Sequence, residues 1–201
     1  FDDELGIEPS AGVLAAAEVA VQTIEHSPAT STAHHRLPVY ATSFIGRSHE
    51  LTTLVENLKH RFITLTGMGG MGKTRLAVEV ASQLATRFPD SLYYIDLVPL
   101  RSAHQIVPTI ITALDMPLRG ADAPVVQLAS WLNNKQILLI IDNFEHLMEG
   151  AATIAQLRQL APTLHMLVTS REVLNLGGEW VYPLRGLPVP DGAAPARTFS
   201  S

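Results

Sequence analysis

The sequence predicts an α/β fold, a mostly parallel sheet of five strands with helices on both faces, preceded by a short helical segment. Three observations carry this. Apolar runs of strand length alternate with stretches of helical period along the middle of the chain. One of those runs, Ile137-Leu138-Leu139-Ile140-Ile141, contains no polar residue, the pattern of a strand buried on both faces. The stretch Gly67-Met68-Gly69-Gly70-Met71-Gly72-Lys73-Thr74 lies between the apolar run Phe62 to Thr66 and a helical pattern, and it fills G-x-x-x-x-G-K-[ST] without a mismatch.

Composition bounds the possibilities. The 201 residues suffice for one domain with appendages, and the first residue, Phe1, suggests a fragment or a processed chain. A hydrophobic content of 47% supports a large core, while 16% charged is below the ~25% usual for globular proteins, so some surface is expected to face neighbouring domains. The net charge of −5 offers no nucleic-acid-binding face. The absence of cysteine excludes disulfides and thiolate metal sites and fits a reducing compartment. No apolar run approaches the ~20 residues that span a bilayer, and no signal peptide is recognisable, so the expectation is a cytoplasmic chain without a membrane partner.

In chain order, residues 1–26 read as a helical segment. An acidic start is followed by an alanine-rich stretch whose Val13, Leu14, Ala17 and Ile24 form an apolar stripe, with Ser10 placed to cap it. Residues 27–42 lack an apolar period and carry Pro28 and Pro38, the composition of a linker; the pair His34-His35 has no further ligand near it and suits a solvated stretch better than a metal. From residue 43 to 188 the pattern is that of one nucleotide-binding domain. Ser48 is the expected cap of a helix carrying Leu51, Leu54, Val55 and Leu58. The helix after the glycine-rich loop should end near Phe88-Pro89-Asp90, followed by a strand over Leu92 to Leu97 and helices over Ala103 to Leu114 and Pro124 to Asn133. A strand over Gln136 to Asp142 leads into a helix expected to run from Asn143 to about Gln159; strands over Leu164 to Thr169 and Glu179 to Leu184 complete the sheet. The proline-rich remainder, residues 189–201, reads as a disordered tail.

The loop explains itself chemically. Backbone N–H groups must converge on phosphate oxygens from a tight turn, which glycines permit, and the following helix aims its free N–H groups and positive dipole end at the same oxygens. Lys73 supplies a positive charge for the terminal phosphates and Thr74 a hydroxyl for Mg²⁺. In a parallel sheet ligands bind at the carboxyl ends of the strands, where Asp142 and Thr169-Ser170-Arg171 also fall. Asp142 suits a Mg²⁺-holding acid, the role favoured beside such a loop, with a helix cap as the alternative. Arg171 suits either a γ-phosphate contact or a solvated loop. Glu145 is the nearest acid that can polarise a water, and a first-turn glutamate also simply suits a helix dipole.

Four motifs in order, FIGR at 44–47, GMGGMGKT at 67–74, ILLIIDNFEH at 137–146 and LVTSRE at 167–172, resemble the signal-transducing STAND NTPases of the NB-ARC type. The start DELGIEPS followed by a helical pattern is similar to the end of the helical activator domain of bacterial transcription regulators, in which such an NTPase follows. The resemblance implies a P-loop NTPase sheet of the ASCE type, with the strand ending at Thr169 between the loop strand and the Asp142 strand. It implies Ile45 and Arg47 near the base and sugar, Lys73 at the phosphates, Asp142 as the Walker-B acid, Arg171 as the sensor arginine, and Thr74 with Asp142 at the metal; with Glu145 from the sequence position, Lys73, Asp142, Glu145 and Arg171 form the candidate catalytic set. The expected nucleotide contacts are Ile45, Arg47, Gly67, Met68, Gly69, Gly70, Met71, Gly72, Lys73, Thr74 and Arg75, with ATP/ADP and Mg²⁺ as cofactors. Expected partners are the flanking domains of a parent regulator, a lid, a winged helix and a DNA-binding region, with no nucleic acid bound by this stretch itself; nucleotide-dependent oligomerisation suits the class.

Two departures argue against fast hydrolysis. Asn143 stands where the family often has a second acid, and Ser48 where a glutamate commonly follows the FIGR-like arginine. Gly186-Leu187-Pro188 imitates the family's lid motif but follows the last strand directly and is taken as a chance match. The functional expectation is an ATP/ADP-binding regulatory switch of a larger regulator with slow or conditional hydrolysis. An active ATPase or P-loop kinase and a non-hydrolysing interaction scaffold are the rivals.

Overall fold

Five strands, Phe62–Thr66 (β1), Ser91–Asp96 (β2), Ile137–Asp142 (β3), His165–Ser170 (β4) and Trp180–Pro183 (β5), form one sheet in the order β2-β3-β4-β1-β5. Every neighbouring pair is parallel. The computed structural model describes residues 37–186, so the expected helical segment 1–26 and the expected tail 189–201 lie outside the described residues. Among the described residues, five α-helices accompany the sheet: Ser48–Glu56 (α1), Lys73–Gln83 (α2), Ile106–Ala113 (α3), Pro124–Leu132 (α4) and Ala151–Leu160 (α5). This is the α/β P-loop fold that the alternation of runs predicts.

The unbroken apolar run of β3 follows from its position. Leu139 and Ile141 face a core cluster with Ile106 and Ile110 of α3, Leu128 of α4 and Ile154 of α5, whereas Leu138 and Ile140 face a second cluster with Leu54 of α1 and Leu76 and Val80 of α2. Alternate side chains of an extended strand point to opposite faces, so a strand with a helical layer on each side favours apolar residues at both sets of positions, as β3 shows from Ile137 to Ile141. All six residues of β3 are buried, its closing acid included. Strand β4 behaves alike, with Met166 and Val168 in the first cluster and Leu167 in the second.

Two local expectations are corrected. Ser48 is the first residue of α1 and does not cap it; the cap position belongs to Arg47 in the left-handed region at φ 59°, without a side-chain cap bond. The helix expected from Asn143 begins only at Ala151, because Asn143 itself is left-handed at φ 61° and the chain then makes two short 3₁₀ turns, Phe144–His146 and Met148–Gly150. A left-handed residue stands outside the right-handed helix it precedes, so Asn143 takes a cap position before the first 3₁₀ turn, and asparagine is among the few non-glycine residues that accept that conformation. Gly150 permits the next approach: a Cβ there would stand 2.4 Å from Ile106 Cδ1.

Candidate functional site

The glycine-rich loop runs from the end of β1 to the start of α2, at the carboxyl edge of the sheet. Gly67 lies so close to the chain leaving β5 that a Cβ would meet Leu184 O at 2.8 Å. Gly72 occupies the cap position of α2 at φ 82°, which turns the loop into the helix and leaves the first N–H groups of α2 open at its end. The side chain of Lys73 is folded back over this loop. Its ammonium donates to Gly67 O at 2.7 Å and to Met68 O at 3.0 Å, and the residue is buried. Burial is the main cause holding its pKa below the usual lysine value, with the charge of Arg171 acting in the same direction and Glu145 and Asp142 opposing.

Asp142 is the centre of the polar layer beneath the loop. Its carboxylate accepts from the Thr74 hydroxyl at 2.8 Å and 3.0 Å, from the Tyr94 hydroxyl at 2.8 Å, from Asn143 Nδ2 at 2.8 Å, and from the Thr169 hydroxyl. Thr169 Oγ1 in turn accepts from the Asn143 backbone N–H at 3.0 Å. A fully buried carboxylate is costly unless hydrogen-bonded, and here donors from α2, β2, β4 and the turn after β3 supply those bonds. Burial, then the hydrogen bond to Asp142 and its charge, push the Tyr94 phenol well above the ordinary tyrosine range.

Glu145 and Arg171 meet across the mouth of the loop. Arg171 Nε stands 3.0 Å from Glu145 Oε1, and the Arg171 guanidinium lies over Gly69, where a Cβ would approach its terminal nitrogen to 3.4 Å. The other oxygen, Glu145 Oε2, is buried without a hydrogen-bond partner. Arg171 itself remains 63% exposed and so free to reorient.

Two concavities flank the loop. On the Arg171 side a cavity of about 320 Å³ is bounded by Gly67, Met68, Gly69, Arg171 and Leu184. On the other side, one of about 470 Å³ is bounded by Tyr40, Phe44, Ile45, Arg47, Met71 and Arg75 among others. Ile45 is 84% exposed there, an apolar side chain presented to solvent beside the loop. Arg47 does not reach into this space as a free charge: its guanidinium pairs with Glu50 at 2.9 Å and donates to Met71 O at 3.0 Å and Arg185 O at 2.9 Å. Arg75 is held from the same side, donating to Thr42 O at 2.7 Å with its guanidinium 4.2 Å from the centre of the Tyr40 ring. Residues 37–42 thus have neither helix nor strand, yet Leu37 packs on the core and Tyr40 covers Arg75.

The structure therefore brings Lys73, Thr74, Asp142, Glu145 and Arg171 together at one edge, and sets Ile45, Arg47 and Arg75 around the adjoining concavity. Sequence reasoning missed Tyr94 and Tyr40. Tyr94 lies within a strand-like apolar run, and only the pairing of β2 with β3 brings it beside the β3 end that carries Asp142.

Residues 56–173 match the AAA domain family. The chain belongs to that family. Relatives of this AAA domain include an HTH-type transcriptional regulator of Mycobacterium bovis, 33% identical over 136 residues that make up 67% of this chain and 15% of the relative. The regulatory protein AfsR of Streptomyces coelicolor is 29% identical over 210 residues, covering 88% of this chain and 20% of AfsR. The chain thus spans a small part of the curated relatives it matches.

Among solved structures, Cdc6p from Pyrobaculum aerophilum superposes with a TM-score of 0.56 at 20% identity, covering 73% of this chain and 47% of that one. A STAND ATPase with a tetratricopeptide repeat sensor from Pyrococcus horikoshii gives a TM-score of 0.52 at 20% identity, over 76% of this chain and 24% of the other. At this identity both bear on the fold alone. No described helix of the AAA domain is long and apolar enough to cross a membrane.

Proposed function

We propose that this AAA domain is an ATP/ADP-binding switch of the STAND class, NB-ARC type, within a larger transcription regulator, with slow or conditional hydrolysis. The observation that carries the reading is the contact between the Thr74 hydroxyl and the Asp142 carboxylate beneath a glycine loop that Lys73 already closes. A hydroxyl and a carboxylate are hard oxygen donors, the set that suits Mg²⁺ held together with substrate phosphates. The loop fits a phosphate chain by its backbone: Gly70 and Gly72 take left-handed φ of 78° and 82° with open space beside them, and Lys73 spends its charge on two carbonyls that a phosphate oxygen outcompetes. Mg²⁺, when bound, supplies charge neutralisation at the terminal phosphates. The names of the relatives support a regulator as the parent protein.

The protein's own groups then sense the nucleotide. Arg171, paired to Glu145 beside Gly69, is within reach of a terminal phosphate and is drawn to it in competition with Glu145. A diphosphate offers less to that competition, so the two nucleotides leave Arg171 and Glu145 in different pairings. Slow turnover follows from the acids. Asn143 donates to Asp142 and holds no base, and Glu145, the acid that could orient a water beside the loop, has one oxygen engaged by Arg171.

A thermal-shift series with ATP, ADP and GTP in Mg²⁺ tests the reading. At a hundredfold excess over Kd, binding should stabilise the fold by roughly 2.7 kcal/mol. Lys73→Ala should remove most of that shift. A wild-type chain that melts at the same temperature with and without every nucleotide defeats the proposal.

A further inference from the structure

The edge of the sheet opposite the phosphate loop carries chemistry that a nucleotide switch does not use. Because every strand is parallel, the residues that enter them converge there: Arg61 precedes β1, Pro89 and Asp90 precede β2, Gln136 precedes β3, and His165 opens β4. A cavity of about 540 Å³ opens at that edge, within the range of small-ligand sites. Arg61, Arg87, Lys135 and His165 line it from four separate segments, with the hydroxyl-bearing Thr86 and Thr163 between them. No carboxylate lines it; the neighbouring Asp90 accepts from the Gln136 backbone N–H at 2.7 Å.

These cations are partly positioned. Arg61 donates one guanidinium N–H to Pro162 O at 2.7 Å, which anchors its head and leaves its other donors available. The Lys135 ammonium stands 4.5 Å from the Trp131 ring centre, and the His165 imidazole is braced edge-on by Phe88 at 5.1 Å. Burial first, then the charges of Arg61 and Arg87, hold the His165 pKa below the ordinary histidine value, with a backbone hydrogen bond at Thr163 opposing them. In a chain of net charge −5, three permanent cations around one concavity without an acid among the lining residues are a local imbalance that an anion relieves. Guanidinium forks suit phosphate oxygens, and the volume admits more than one phosphate group.

We propose that the cavity between Arg61, Arg87, Lys135 and His165 is a second anion site, which takes a small polyphosphate and is independent of the glycine-rich loop. The ligand's source is either a free polyphosphate chain or the triphosphate of a second nucleotide, which share this chemistry.

The test is a calorimetric titration of the full chain carrying Lys73→Ala with sodium tripolyphosphate in magnesium-free buffer. Saturable binding to one site is expected. Adding Arg87→Gln and Lys135→Gln should weaken it by roughly tenfold for each charge removed, since a hydrogen bond to a charged group contributes on the order of 1.5 kcal/mol. In the unaltered chain, the ring resonances of His165 should move during the same titration followed by NMR, which decides the matter should a variant fail to fold. Competition by magnesium-free ATP identifies a nucleotide triphosphate as the source, and its absence identifies a base-free chain. Binding lost with Lys73→Ala alone, or unchanged by the Arg87 and Lys135 substitutions while the His165 resonances stay still, overturns the site.

Discussion

Asp142 and Glu145 are two carboxylates three positions apart in the chain, and the fold treats them in opposite ways. The first is fully enclosed and accepts from four side chains on four segments. The second has one oxygen on an exposed arginine and the other buried with no partner. A carboxylate satisfied from all sides is part of the architecture, and its position does not depend on a ligand. A carboxylate half satisfied by a reorientable side chain remains poised for another arrangement, which is what a sensing element needs.

The strongest way to break this contrast is Asp142→Ala. It removes the common acceptor of Thr74, Tyr94, Asn143 and Thr169 and leaves those donors unpaired, each at about 1–3 kcal/mol, so the fold should lose several kcal/mol in urea unfolding. A cost no larger than that of Glu145→Ala removes the distinction. Next in size is Arg171→Ala. If this arginine reads the terminal phosphate, the ratio of ATP to ADP affinity should fall by roughly tenfold, about one charge-assisted hydrogen bond, with both measured by competition against a fluorescent nucleotide.

Tyr94→Phe should cost about 1 kcal/mol, one hydrogen bond to Asp142. It also sharpens the contrast through pH. The folded state raises the pKa of this phenol above the ordinary tyrosine value of 10.0, so the stability linked to the neutral form is complete below pH 10 and declines as pH rises beyond it, where only the unfolded chain releases the proton. Removing the hydroxyl should therefore lessen the loss of stability measured by denaturant unfolding above pH 10. The smallest effect is expected for Glu145→Gln. Its pair is largely exposed on the arginine side, so stability should change by less than about 1 kcal/mol, and multiple-turnover phosphate release should remain slow. A collapse of an otherwise fast turnover would instead make Glu145 a catalytic base.

Much of the fold was legible because single residues left few choices. The run Ile137 to Ile141 has no polar face, and β3 is indeed enclosed by both core clusters. The strand containing Thr169 lies between β1 and β3, in the order expected from the family resemblance. What was not legible is conformational or relational. Nothing in the string Asp142-Asn143-Phe144 announces that Asn143 turns left-handed, so the apolar and acidic residues after it read as one helix when they form two 3₁₀ turns first. Arg47 was expected beside the ligand, and its engagement with Met71 O and Arg185 O depends on segments 24 and 138 residues away, whose proximity no periodicity encodes. The Arg171 and Glu145 pairing is of the same kind, a contact between two loop ends that exists only once β3 and β4 lie side by side.

That same Arg47 guanidinium joins three stretches of backbone within the reach of one side chain: the start of α1, the glycine loop at Met71, and the chain leaving β5 at Arg185. The chain there is also pinned from the other side, where the Leu184 N–H donates to Thr66 O at 2.7 Å, immediately before Gly67. Any displacement of the loop that moves Met71 O must either carry Arg185 with it or rupture a bond of a single guanidinium. The loop and the chain leaving β5 are therefore joined through one side chain's hydrogen bonds as well as through the hydrophobic core.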